Sequence, residues 1–295
     1  MGTNTRILKH QFEYVAPENL EEALELLAKK GPGAMLLAGG TDVIANLKLE
    51  RIAPEALIDI SRLAELGSIG EGGGLTIGAA AKLQAVAQHC AGRADYGCLH
   101  DSIRSIGKVQ VLHMATLAGN LCTASPAADS APSLLVLDAG VELQSLQGAR
   151  TMALADFLTG PGQTSLKPGE IMTSIKIPAA SSDSGSAFIK IARVESDISK
   201  ITCAVSVRRQ EDKALACKIA VGAAAPTAIR IPEAEALLSD AAVTADLLDE
   251  CGRTVSAGIK PIDDQRSTAE YRTKITAQLF KDTFEMAWHR AGGGK

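Results

Sequence analysis

Apolar and polar residues alternate along this chain in two rhythms. Leu20, Ala23, Leu24 and Leu27 recur at helical spacing, which predicts an amphipathic helix over Asn19 to Lys30. Its ends carry matching signals: Asn19 as cap with Glu22 three residues on, Glu21 and Glu22 at the positive end of the dipole, Lys29 and Lys30 at the negative end, and Gly31 for a left-handed stop. Ala34 to Ala38 is an apolar run too short for a helix and bounded by Gly33 and Gly39, hence a buried strand. A helix around Asp42 to Lys48 and a strand over Ala56 to Ile60 follow. This alternation predicts a small α/β layer of parallel strands covered on both faces.

Further on, the period shortens to two. Leu75, Ile77 and Ala79 alternate with Thr76 and Gly78 behind the glycine-rich stretch Gly70 to Gly74, which reads as a hairpin tip; with Leu at position 75 it is not a dinucleotide fingerprint. Val141 to Leu146 and Ile171 to Ile177 read as strands, and Pro178 with the serine-rich run Ser181 to Ser186 marks a boundary. Three strands then fall near Ala187–Arg193, Thr202–Arg209 and Ala216–Val221, followed by helices over Pro232–Ser239, Thr244–Gly258 and Thr268–Arg290. Strands first and helices after make an α+β pattern, a three-stranded antiparallel sheet with a helical bundle. The expected division is therefore 1–180, with subdomains of about 1–60 and 61–180, and a small α+β domain over 187–291.

Composition narrows the chemistry. With five Phe, three Tyr and one Trp among 295 residues, the cores must be aliphatic. A net charge of -4 with scattered Lys and Arg gives no field for a nucleic-acid backbone. No apolar run approaches the roughly 20 residues of a membrane span, and Met1 to His10 lacks the pattern of an export signal, so a cytoplasmic protein is expected. The six cysteines form no C-x-x-C pair and the five histidines no ligand pair, so neither an iron–sulfur cluster nor another metal is expected on this chain.

Two segments carry candidate chemistry. Leu36, Leu37, Ala38, Gly39, Gly40, Thr41, Asp42 and Val43 place two glycines between a strand and a helix start, where free amides and a missing Cβ suit a diphosphate; a plain strand-to-helix turn capped by Thr41 is the simpler alternative. Thr116, Leu117, Ala118, Gly119 and Asn120 form a second run of small residues. Behind it, Ser125 with Pro126 predicts another helix N-terminus with Asp129 one turn in, and Pro132 kinks or restarts that helix.

In order and separation, Ala38–Asp42, Thr116–Asn120 and Ser125–Asp129 resemble the FAD subunit of molybdenum hydroxylases, the xanthine dehydrogenase and carbon monoxide dehydrogenase family. Phe12 to Tyr14, Pro17, Leu57 to Ile60, Gly160 to Gly162 and Arg266 to Arg272 extend the resemblance over almost the whole chain. It implies a two-subdomain FAD-binding domain of the PCMH type, with Leu36–Val43 around the FAD diphosphate, Thr116–Asn120 as a second backbone cradle, Asp129 accepting from hydroxyls of the flavin chain, and Ile106 lining the ring. Met172 matches an apolar flavin contact, with a strand-core methionine as the equal alternative. Lys190 matches a lysine beside the isoalloxazine, with a surface lysine as the alternative. Arg193 to Ile198 resembles the loop that conditions access of the final electron acceptor, or is a solvated turn.

The resemblance further implies a molybdopterin-binding large subunit and a 2Fe-2S small subunit as partners, with NAD, oxygen or a quinone as acceptor. A self-contained flavin oxidase and a flavin-free scaffold are the rival readings. Two departures stand out: Ala118 where the family commonly has glycine, and Leu112–His113 where Arg–Asn is frequent. If Ala118 needed a positive φ it would cost about 1 kcal/mol. Gly39→Val and Gly119→Val are expected to exclude flavin while leaving the core folded.

Overall fold

A computed structural model describes residues 8–292, so most of the Met1–His10 reading lies outside the described residues. The predicted first helix is Leu20–Lys30. Asn19 accepts from the Glu22 amide, Glu22 reaches back to the Glu18 amide, and Gly31 ends the helix at φ +60°. Three short strands form a parallel sheet in which Ala56–Asp59 lies between Glu13–Val15 and Ala34–Leu37. Only the central strand is buried along its whole length; the flanking strands keep some exposure, short of the full cover predicted for them.

A five-stranded antiparallel sheet follows, in the spatial order Ile69–Glu71, Gly74–Gly78, Ile171–Pro178, Gly140–Ser145, Gly148–Ala153. Short helices packed with it include Leu83–Cys90, Gly97–Arg104 and Leu117–Thr123. The predicted helix start at Ser125–Pro126 is not formed. Ala124 is left-handed at φ +47°, the Ser125 hydroxyl and carbonyl accept from Ala127 and Ala128, and the Pro126 carbonyl is taken by the Ala223 amide. The helix begins instead at Ser130, runs to Val136, and holds Pro132 in its first turn, where a missing amide hydrogen costs nothing.

The last sheet pairs Ser184–Ile191 with Ile201–Gln210 and Ile201–Gln210 with Lys213–Gly222, antiparallel throughout; two-residue strands Ile229–Arg230 and Ala241–Ala242 add to the predicted three. Both faces are buried with the strand period. Ala187, Cys203, Val205, Ile219 and Val221 pack toward the helices Ala245–Gly258 and Ala269–Ala291, whereas Phe188, Ala204 and Ala220 pack toward the preceding half.

Arg272 near the start of the last helix is buried, and its guanidinium donates to the Ile262 carbonyl (2.7 Å) and to Asp264 Oδ1 (2.8 Å). Burial raises the Asp264 carboxyl, but the Arg272 bond and the amides of Arg266 and Ser267 bring it down to about 2. A folded pKa below the unfolded one stabilises above the unfolded value, and the benefit fades as pH falls through the folded one. Asp264→Asn is thus expected to be less stable than the parent at pH 6, with the gap closing between about pH 4 and pH 2. Urea midpoints at pH 6 and pH 2.5 test this, and a gap of constant size would refute it.

Candidate functional site

The two glycine-bearing segments meet. A Cβ on Gly39 would lie 2.4 Å from the Met114 carbonyl oxygen and 2.7 Å from Ala115 Cα, so the first turn rests bare backbone against the chain that enters the second. Thr123 Oγ1 donates to Asp42 Oδ2 at 2.8 Å across the same seam. Gly40 takes φ +72°, the conformation glycine tolerates at no steric cost, and turns the chain from Ala34–Leu37 into the helix Val43–Lys48. Among the described residues, the amides of Gly39, Gly40 and Thr41 have no hydrogen-bond acceptor. Thr41 and Asp42 are exposed; Leu36, Leu37, Ala38 and Val43 are half-buried.

Thr116 caps Leu117–Thr123 by accepting from the Gly119 amide (3.0 Å), and its backbone is bridged to Lys82. The second segment is thus a helical first turn whose leading amides have no partner within the helix. Ala118 lies inside that turn and is buried without a positive φ, which removes the strain its methyl group would otherwise carry. Asn120 is held by the Ser130 hydroxyl, which donates to its Oδ1 at 2.6 Å.

Asp129 and Lys190, read separately from the sequence, pair with each other. Lys190 Nζ donates to Asp129 Oδ2 at 2.7 Å and to the Ser105 carbonyl at 3.0 Å, and both side chains are over nine-tenths buried. Asp129 Oδ1 is buried and has no hydrogen-bond partner among the described residues. Burial pushes the Asp129 carboxyl up, and the lysine charge and hydrogen bonds partly pull it back. An acceptor left open in this way needs a donor from outside the chain, or it costs stability.

Ile106, half-buried, follows Ser105 directly and precedes Gly107 at φ +55°. A cleft of about 430 Å³ opens at the preceding Ser105, lined also by Asp101, Phe188, Lys190 and Arg193 to Glu195; Ile106 itself is not in its lining. In the loop that follows, Arg193 pairs with Asp197 (3.2 Å), while Val194 and Ile198 stay exposed. Met172 is 3% exposed within the core of the five-stranded sheet, opposite Leu143 and beside a bulge. Leu112 is core and His113 exposed.

The sequence reading missed Asp101 and Ser105. The spacing of Cys98, Asp101 and Ser105 on one helix face was the available signal. The expectation that valine at Gly39 or Gly119 leaves the core untouched also needs correction. Cβ atoms there meet Met114 oxygen and Thr116 Oγ1 respectively, both protein atoms, so a branched side chain disturbs the seam itself before it reaches any ligand.

A bare, amide-rich turn apposed to a helix start, with an unsatisfied carboxylate oxygen nine positions beyond Asn120, has the donors and acceptor that suit an anionic nucleotide, the class to which comparison with known proteins also leads. The family described as the FAD binding domain in molybdopterin dehydrogenase matches residues 10–180, and that of the CO dehydrogenase flavoprotein C-terminal domain matches 186–287. The chain is 31% identical to the carbon monoxide dehydrogenase medium chain of Hydrogenophaga pseudoflava, covering 95% of this chain and 98% of that one. It is 34% identical to the putative xanthine dehydrogenase FAD-binding subunit of Escherichia coli strain K12, covering 95% and 97%. A solved structure of the Hydrogenophaga pseudoflava carbon monoxide dehydrogenase that lacks the Mo-pyranopterin moiety of its cofactor superposes with a TM-score of 0.91 at 32% identity over 96% of this chain and 99% of that one.

The chain belongs to the FAD-binding subunits of the molybdenum hydroxylases, the xanthine dehydrogenase and carbon monoxide dehydrogenase family, and its cofactor is FAD.

Proposed function

We propose that this chain holds FAD along the seam between its first two subdomains and relays electrons from a 2Fe-2S partner subunit to NAD, oxygen or a quinone, while substrate is oxidised at a molybdopterin-binding large subunit. The observation that carries this reading is the contact of the two turns through Gly39, with acceptor-free amides at Gly39, Gly40 and Thr41. Residues Leu36 to Val43 and Thr116 to Asn120 would line the diphosphate, with the open amides of Gly39, Gly40 and Thr41 donating to it, since amides at helix starts favour anions. Asp129 Oδ1 would accept from a hydroxyl of the flavin chain, which satisfies the open acceptor. Lys190, Ile106 and the cleft beside them would receive the ring; Met172 would reach it only through the sheet core.

Bound FAD supplies the exchange between one-electron and two-electron carriers; the chain supplies position and charge. Domains over 1–180 and 187–291 are supported by the sheets, since each pairs strands only from within one of these stretches or ends within a few residues of it. Six free cysteines fit the reducing cytoplasm. Coverage of nearly the full length of relatives named as subunits supports a partner-dependent role over a self-contained oxidase.

Titration of the purified chain with FAD, read by flavin fluorescence, tests the site. Asp129→Ala is expected to weaken FAD binding by about tenfold to a hundredfold, the value of one hydrogen bond to a charged acceptor. Thr116→Val, which removes the helix cap, should weaken it less while costing about 1 kcal/mol of stability. Wild-type affinity in Asp129→Ala would remove that residue from the site. Co-purification with iron–sulfur and molybdopterin subunits tests the relay.

A further inference from the structure

The wall that carries Lys190 is fixed by contacts that run from the cleft to the last helix. Ser184–Ile191 is an edge strand, and its open edge is docked on the segment around helix Gly97–Arg104. The Ser186 amide donates to the Ala94 carbonyl (2.8 Å), the Cys98 amide to Ser186 Oγ (3.1 Å), the Phe188 amide to Asp101 Oδ2 (3.4 Å), and Lys190 Nζ to the Ser105 carbonyl (3.0 Å). Alternate strand residues thus meet successive helix positions, and Lys190 arrives at the helix C-terminus, where a cation is favoured.

One side chain from the far end of the sequence closes this docking. Arg290, in the last turn of Ala269–Ala291, donates from Nη1 to Asp101 Oδ2 (2.6 Å) and to the Ser186 carbonyl (2.7 Å), and from Nη2 to Asp101 Oδ1 (3.2 Å). Its fork therefore holds helix and strand at once. Space for it is kept by Gly97, where a Cβ would lie 2.6 Å from Arg290 Nη1 and 2.5 Å from the Ser186 carbonyl, and by Gly185, where one would strike the Ala287 carbonyl at 2.3 Å. A planar bidentate donor is the group that can fix two oxygens of one carboxylate while reaching a third acceptor.

We propose that Arg290 is a positioning residue for the flavin: by locking Asp101 to the Ser186 backbone it sets where Lys190 stands, and through Lys190 it sets the reduction potential of the bound cofactor. The proposal rests on the reading that places Lys190 beside the flavin ring. Lys190 Nζ is also held by Asp129 Oδ2 at 2.7 Å, so the docking sets where the ammonium end of that pair stands; an ammonium facing the ring favours the anionic reduced form, and one that drifts back lowers the potential.

The full chain saturated with FAD is the test material, with the flavin midpoint potential and the melting temperature as readouts. Arg290→Met is expected to shift the potential negative, in the same direction as Lys190→Gln and by less. Arg290→Lys, which keeps the charge without the fork, should fall between Arg290→Met and the parent. A potential equal to the parent's in Arg290→Met, with only the melting temperature reduced, overturns the proposal while leaving the Lys190 reading intact if Lys190→Gln still shifts. Parental potentials in both variants overturn the two together. Should Arg290→Met not fold, Arg290→Lys, which keeps the charge and loses the fork, carries the test, and a parental potential in it overturns the proposal.

Discussion

Lys190→Met is expected to lower the unfolding free energy by about 3–5 kcal/mol at neutral pH, the range for removing one partner of a buried ion pair. Both groups are over nine-tenths buried, so the deserted Asp129 would have neither water nor lysine, and its Oδ1 already lacks a partner among the described residues. The effect should depend on pH, and its sign follows from the shift. Burial raises Asp129 above its unfolded pKa, and removing Lys190 deletes the charge and hydrogen bond that pull it back, so the folded value rises further. For a carboxyl raised on folding, the penalty is absent below the unfolded value of about 4, grows as pH rises from there, and levels off above the folded one. The deficit of Lys190→Met relative to the parent should therefore shrink from pH 7 to pH 5. Adding Asp129→Leu should recover much of it, since an apolar pair of similar volume replaces the pair without a stranded charge. Urea midpoints at the two pH values decide; an equal deficit at both would mean that Asp129 does not titrate in the mutant.

Gly39→Ala should weaken FAD binding by about tenfold to a hundredfold, because forcing a methyl into a closed contact costs about 1–3 kcal/mol. The clash is with the Met114 carbonyl and the Ala115 backbone, neither of which can rotate away, so relief requires the two turns to separate. Gly119→Ala makes an informative partner. Its added Cβ meets only Thr116 Oγ1, at 2.9 Å, a hydroxyl that can turn aside at the cost of a helix cap of about 1 kcal/mol. The order of effect, Gly39 well above Gly119, belongs to this seam. The reverse order in isothermal titration with FAD would show that the turns are not in contact in solution.

What could be read from the sequence was what neighbouring residues decide among themselves. The first helix and its caps, the Gly70–Gly74 hairpin and the long strands and helices after residue 184 follow from local periodicity and turn chemistry, and they stand where they were predicted to within a few residues. The misread helix start at Ser125–Pro126 fails for a distant reason: Pro126 gives its carbonyl to Ala223, nearly a hundred positions on, and a turn satisfies Ser125. Likewise the composition of the candidate site was legible while its pairing was not. Asp129 and Lys190 were each assigned a partner in the cofactor, yet they lie 61 positions apart and bind each other. Arg290 is more remote still from Asp101, and nothing in the local pattern marks it.

The helix Ala269–Ala291 carries its two anchoring arginines 18 positions apart, at 272 and 290. At 3.6 residues per turn that separation is about five whole turns, so both guanidinium groups leave the cylinder in phase, about 27 Å apart. One residue inserted between them would swing one anchor about 100° out of line with the other and lengthen the strut by about 1.5 Å. Related chains can vary the sequence of this helix widely, but its length between the anchors should be quantised in complete repeats.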